Sequence, residues 1–351
     1  MFNFYLTISV LAIAISAIFT FFVIKLAKRI GAVDVPEGER KIHKTPTPLM
    51  GGLAIFLTFF LVLFFVQDKL LVGNLQTHHF IGFFIGGLFL MLGGFLDDKY
   101  NLSPKYQFIF PILAIISVIA GGVEIEKITN PFGFIQGGPF VGGYIYLGYF
   151  SSILIGLWLL GMMYTTKLLD GMDGLVTGIT AVGGLVIFLF TLTTKYYQPD
   201  ISLAALVLSA ACLGFLIFNW HPAKIFLGEG GSLFLGYALG VLAIISGGKF
   251  AIALLIMGVP ILDVVWTIAR RLAAGKNPFK IADRKHLHHR ILDLGIGQRK
   301  TVLIFYLFSL IFGLSAIFLQ SLGKIFALMT LLVIMILIIF GFEYLDKRND
   351  V

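Results

Sequence analysis

The chain has 351 residues, 58% of them hydrophobic and only 13% charged, with a mean hydropathy of +0.98 and a formal net charge of +8. A soluble domain is roughly a quarter charged, so this composition excludes a soluble protein and leaves an integral membrane protein. The single cysteine, Cys212, excludes an intrachain disulfide and reads as a small buried apolar side chain.

Eleven apolar segments follow one another, at about 4–25, 49–66, 79–97, 106–122, 149–169, 175–194, 201–219, 231–247, 250–269, 301–320 and 324–344. A membrane-spanning helix needs about 17–25 residues, so the sequence predicts an all-α, polytopic bundle of about eleven spans forming one domain over residues 1–351. The first run, Tyr5 to Ile24, lacks a basic region before it and reads as a span rather than a cleavable signal. Between the fourth and fifth segments, "VEIEKITNPFGFIQGGPFVGGYIYLG" mixes β-formers with Gly pairs and reads as a β-hairpin. In the ninth segment, "GVPILDVVW", Pro260 should break the helix beside Asp263, the charged residue placed deepest in a span.

Lys and Arg set the orientation. With eleven spans the side carrying the C-terminus holds 21 of them and the opposite side 5, which predicts an outside N-terminus and a cytoplasmic C-terminus. The basic excess suits anionic lipid, and nothing in it resembles a nucleic-acid module.

Five loops fall on the cytoplasmic side, at about 26–48, 97–105, 167–175, 219–232 and 271–300. They contain "RKIHKTPTPLMGG", "LDDKYNLSPK", "KLLDGMDGL", "FNWHPAKIFLGEGGS" and "DRKHLHHRILDLG". Each has a bland reading. Asp97–Asp98 ends a span as a hydrated stop would; "DGMDG" is a Gly-rich turn; "GEGGS" is a loop with an N-cap; "HLHH" is three solvated His beside Arg284, Lys285 and Arg290. Their shared side argues for more. Carboxylates suit Mg²⁺, Lys, Arg and His suit phosphate oxygens, and Gly admits close backbone approach. That combination is the equipment of phosphoryl transfer, and its place at the membrane interface suggests a lipid substrate. The competing class is a transporter or flippase, whose ionisable residues should lie near mid-membrane within interrupted helices.

In order and spelling, these loops resemble the polyprenyl-phosphate N-acetylhexosamine-1-phosphate transferases. The resemblance runs from "RKIHKTPTPLMGG" through "LDDKYNLSP", "LLDGMDGL" and "NWHPAKIFLGEGGSLFLG" to "PILDVVW" and "DRKHLHHRIL". It implies transfer of a sugar-1-phosphate from a UDP-N-acetylhexosamine to undecaprenyl phosphate, with release of UMP and Mg²⁺ (or Mn²⁺) as cofactor, at the cytoplasmic face of a bacterial-type membrane. Leu287, which interrupts the His run, favours the N-acetylglucosamine branch over the muramoyl-pentapeptide branch. A second copy of the chain is a candidate partner.

Carried over residue by residue, the resemblance implies catalytic roles for Asp97, Asp98, Asp170, Asp173 and His288. It implies metal ligation by Glu229 and Asp98. Substrate contacts would come from Lys44, Gly51, Gly52, Lys105, Lys167, Gly171, Gly174, Asn219, Arg284, His286 and His289. Three residues depart from the family pattern: Glu229 stands for Asp, Lys167 for Asn, and Gln107 for Lys or Arg. The expectation is a rearranged centre in which Lys167 directs charge at the diphosphate and Glu229 reaches either Lys167 or the metal. Neutral drift is the alternative.

Overall fold

The computed structural model describes residues 2–36, 45–71, 73–129, 143–193, 196–247, 249–275 and 286–349. In chain order these form α1 (Phe2–Ile30), β1 (Val33–Asp34), β2 (Thr47–Pro48), α2 (Gly51–Phe65), α3 (Gln67–Leu70), α4 (Thr77–Tyr100), α5 (Pro104–Gln107), α6 (Ile109–Ala120), β3 (Lys127–Thr129) and β4 (Tyr144–Tyr146). There follow α7 (Phe150–Leu169), α8 (Leu175–Thr191), α9 (Pro199–Asn219), α10 (Gly228–Ile245), α11 (Phe250–Ile256), α12 (Gly258–Ala273), α13 (Leu287–Asp293), α14 (Gln298–Phe318) and α15 (Ser321–Asn349). Helix dominates because a chain in lipid must satisfy its backbone polar groups within itself.

Among the described residues seven helices are long and apolar enough to cross a membrane, or eight if α11 and α12 count as one span. Three shorter apolar helices, Gly51–Phe65, Pro104–Ala120 and Leu175–Thr191, accompany them. Each apolar segment of the sequence falls on one of these elements. The predicted break is present: α11 and α12 meet at 79°. Pro260 has no N–H for the Ile256 carbonyl, and α11 ends at that residue.

The hairpin is also present, with Lys127–Thr129 antiparallel to Tyr144–Tyr146. The ribbon β1–β2, which pairs Val33 with Pro48 and Asp34 with Thr47, was not foreseen. It continues into the chain before α10, where the Phe226 N–H donates to the Pro48 carbonyl at 2.9 Å.

The core centres on α10, whose spanning stretch is 94% buried. It packs on α2, α4, α7 and α8. The close approach is made by glycine. A Cβ on Gly52 would overlap Gly231 Cα, and one on Gly94 would overlap the Gly230 backbone. Association within lipid relies on such small residues, since apolar burial alone offers little gain there. These contacts fix the N-terminus of α10 between the start of α2 and the end of α4.

Candidate active site

The ends of α4, α7, α9 and α10 and the start of α14 surround a cavity of about 990 Å³, large enough for a nucleotide sugar. Besides Asp34, four carboxylates line it, Asp98, Asp170, Asp173 and Glu229, together with Lys167 and His289. Asp34, Thr45 and Thr47 of the first loop and Gln298 of α14 complete much of the wall.

Each acid is held differently. Asp98 Oδ1 accepts the Glu229 N–H at 3.0 Å, so it sits at the N-terminus of α10, where unpaired N–H groups favour negative charge. Asp173 Oδ2 meets His221 Nδ1 at 2.6 Å and accepts the Ala223 N–H at 3.1 Å. Glu229 is ion-paired with Lys167. The Lys167 ammonium also donates to Gln107 Oε1 at 3.0 Å.

Asp170 follows α7 directly. Burial, and then the charges of Glu229, Asp98 and Asp173, push its carboxyl up from 3.8 to about 8. A carboxyl whose native pKa is raised binds a proton in the native state that the unfolded chain has already lost, so between the two values stability falls as pH rises. In divalent-free buffer the wild-type melting temperature should therefore decline as pH rises toward 8. Asp170→Asn, which stays neutral, should match wild type below about pH 4, where Asp170 is protonated in the folded protein and largely so in the unfolded chain, and exceed it by a margin that grows until about pH 8. Parallel melting curves for the two proteins across that range would refute the assignment.

The histidines divide. His289 lines the cavity. His286 is buried with its Nδ1 2.9 Å from Asp263 Oδ2, and the Leu287 N–H donates to Asp263 Oδ1 at 2.8 Å. The buried acid of α12 thus anchors the start of α13. His288 stacks on His286 at 5.6 Å and is 1% exposed. A Cβ on Gly171 would lie 2.9 Å from its Nε2, so the imidazole packs beneath the "DGMDG" loop. Burial and the flanking imidazoles push its pKa well below the ordinary value, so it is neutral at physiological pH and supplies no positive charge to a phosphate.

The remaining expected residues are placed as follows. Asp97 is not on the cavity wall; it accepts the Leu102 N–H at 2.8 Å and the Gln107 amide. Lys105 is exposed on α5, also off the wall. Gly51 and Gly52 donate their N–H groups to the Phe226 and Leu227 carbonyls and serve the α2–α10 contact. Gly171 is on the wall; Gly174, at φ +77°, starts α8. Asn219 lines the cavity, and three hydrogen bonds tie its amide to the surrounding chain. Its Oδ1 accepts from the Gly174 N–H and Thr177 Oγ1, and its Nδ2 donates to the Ile225 carbonyl. It ties the "DGMDG" loop to the chain after α9. Lys44 and Arg284 lie outside the described residues. His221, which clamps Asp173, was not singled out in the sequence; the signal was its place in "NWHPAK" at the same end of the bundle.

Among the described residues no three acidic, His or Cys side chains converge into a metal cage. Mg²⁺ seldom needs one, since it is commonly held by one or two carboxylates together with substrate phosphates. Burial first, and then the neighbouring carboxylates, disfavour charge on Asp170; a divalent cation would offset both, so the donor set fits Mg²⁺.

Comparison with known proteins agrees with this chemistry. Residues 80–247 match the pattern of glycosyl transferase family 4. A probable undecaprenyl-phosphate N-acetylglucosaminyl 1-phosphate transferase of Bacillus subtilis is 36% identical over 322 residues, 90% of this chain and 84% of that protein. A decaprenyl-phosphate N-acetylglucosaminephosphotransferase of Mycobacterium tuberculosis is 34% identical, covering 83% of this chain and 78% of that one. An undecaprenyl-phosphate alpha-N-acetylglucosaminyl 1-phosphate transferase of Thermotoga maritima is 32% identical, covering 85% and 87%. With a cavity of carboxylates and lysine at the helix ends and relatives aligned over most of its length, the chain belongs to glycosyl transferase family 4, among the membrane-embedded polyprenyl-phosphate N-acetylhexosamine-1-phosphate transferases.

Proposed function

We propose that the protein transfers N-acetylglucosamine-1-phosphate from UDP-N-acetylglucosamine to undecaprenyl phosphate, forming the first lipid-linked intermediate of a cell-envelope glycan. The observation that carries this is the cavity itself, where acids and a lysine stand together at the ends of membrane-spanning helices. A phosphate oxygen of the lipid attacks the phosphorus bearing the sugar. One P–O bond forms, the P–O bond to UMP breaks, and UMP leaves with that electron pair. The second pKa of a phosphate monoester is about 6, so the lipid phosphate arrives largely ionised and needs no strong base.

Within this reading Lys167 offers charge to the diphosphate, and His289 is the imidazole at hand for substrate oxygens. Asp98 and Asp170 would hold Mg²⁺. Glu229 has one oxygen committed to Lys167 and keeps only the other for a cation. When bound, Mg²⁺ neutralises phosphate charge and draws the diphosphate toward the acids.

Purified protein, undecaprenyl phosphate, Mg²⁺ and a panel of UDP-sugars test the function. UMP should appear with UDP-N-acetylglucosamine and depend on the lipid. Faster turnover of UDP-N-acetylmuramoyl-pentapeptide would move the protein to the other branch. No UMP with any donor would leave the transporter reading.

We further place the cavity on the cytoplasmic side of a bacterial-type inner membrane, on the strength of the Lys and Arg distribution. Cys212 is buried, so labelling needs no background removal. Leu294→Cys, at an exposed position after α13, should resist a membrane-impermeant maleimide in intact cells and react after lysis. Labelling from outside would overturn the orientation.

A further inference from the structure

Asp97, Gln107, Lys167 and Glu229 form one continuous chain of polar contacts that ends at the cavity. It starts outside the wall. Gln107 Nε2 donates to Asp97 Oδ1 at 3.1 Å and Oδ2 at 3.2 Å, and to the Leu102 carbonyl at 3.1 Å. Every neighbour on that side of the amide is an acceptor. A flipped amide would set its oxygen against the Asp97 carboxylate and the Leu102 carbonyl, and its NH₂ against the Lys167 ammonium. Asp97 therefore dictates which end of Gln107 faces Lys167, and it is the oxygen, 3.0 Å from Nζ.

Lys167 is fixed on three sides: by Gln107, by its ion pair with Glu229, and by the Tyr164 ring, whose centroid lies 5.6 Å from Nζ. An ammonium has three donors. Gln107 and Glu229 engage two of them, and Lys167 lines the cavity, where the third can meet a ligand oxygen. A lysine otherwise loses rotamer entropy when a ligand orders it. Holding it in advance removes much of that cost.

We propose that Asp97 and Gln107 are positioning residues that aim the Lys167 ammonium at the diphosphate of the nucleotide sugar, and that Asp97 acts on the reaction only through Lys167. The inference rests on the proposed function, since it takes the occupant of the cavity to be a nucleoside diphosphate sugar. It separates the two neighbouring acids: Asp98 borders the cavity, whereas Asp97 stands two side chains away from the ligand.

The test is a coupling measurement on ligand binding, which a merely structural role would not produce. The dissociation constant of UDP-N-acetylglucosamine is measured at fixed Mg²⁺, without lipid phosphate, for wild type, Asp97→Asn, Gln107→Leu, Lys167→Ala and both doubles with Lys167→Ala. In the presence of Lys167, each of Asp97→Asn and Gln107→Leu should weaken binding about tenfold; in the Lys167→Ala background the same changes should alter it by less than about twofold. Two substitutions that disturb Lys167 by different routes guard against one variant failing to fold. Equal losses in both backgrounds would show that Asp97 acts on the ligand directly and overturn the inference while leaving the function intact. Unchanged binding in both single variants would overturn it as well. A wild-type protein that binds no UDP-sugar would overturn the function and this inference with it.

Discussion

Asp98→Asn should reduce UMP release by roughly a hundred- to a thousandfold, the usual cost of removing one preorganised electrostatic group from a transfer site. The protein should still fold. The asparagine oxygen can accept the Glu229 N–H as the carboxylate does, so the junction between α4 and α10 survives. What disappears is the negative charge facing the cavity, and with it a hold on the cation and on the charge that moves to UMP. Asp97→Asn should cost far less, about tenfold, because its carboxylate is spent on Leu102 and Gln107. The resemblance implied a catalytic role for both acids. Steady-state UMP release, with a melting curve for each variant, separates the two outcomes. An Asp98→Asn protein that melts normally and turns over within a few-fold of wild type would remove Asp98 from the centre.

Gly52→Ala should do its damage to the fold. The added methyl would overlap Gly231 Cα, a backbone atom that no rotamer change can move aside. Overpacking costs about 1–3 kcal/mol even where side chains can adjust, and occasionally more, so a steep fall in monodisperse yield and melting temperature is expected. Gly161→Ala is the control. It lies on exposed α7 surface with nothing near the new Cβ, and alanine is the better helix former there. A Gly52→Ala protein with wild-type melting but no nucleotide-sugar binding would restore the nucleotide role that the resemblance implied for the Gly51–Gly52 pair.

The contrast between Asp97 and Asp98 also shows where sequence stops being legible. Consecutive residues on an α-helix point about 100° apart, so one acid of such a pair reaches the cavity and the other does not. Which one depends on how α4 is rotated, and Gly94 against Gly230 fixes that across a long separation in sequence. Gly51–Gly52 is ambiguous for a related reason: glycine admits a phosphate or another helix equally well, and only Gly231 decides. In the His run, three residues that look equivalent become one wall residue, one partner of Asp263 and one neutral buried ring. Features with a local cause were readable. The apolar runs mark the helices, Pro260 marks the bend, and the charged loops mark the end of the bundle that carries the site. Gln107, Lys167 and Glu229 were noted separately as departures; their contact through Lys167 needed the packing of α5, α7 and α10.

The cavity draws its lining from Asp34 near the start of the chain to Gln298 at the head of α14. A membrane protein made on the ribosome delivers its helices in order, so the wall of this pocket is complete only once α14, late among the described helices, has begun to emerge. A nascent or truncated chain lacking α13 and α14 presents the acids of α4, α7 and α10 without His289 and Gln298 opposite them. The binding site is thus completed late in synthesis, and a chain interrupted before residue 298 enters the bilayer with part of the pocket wall missing.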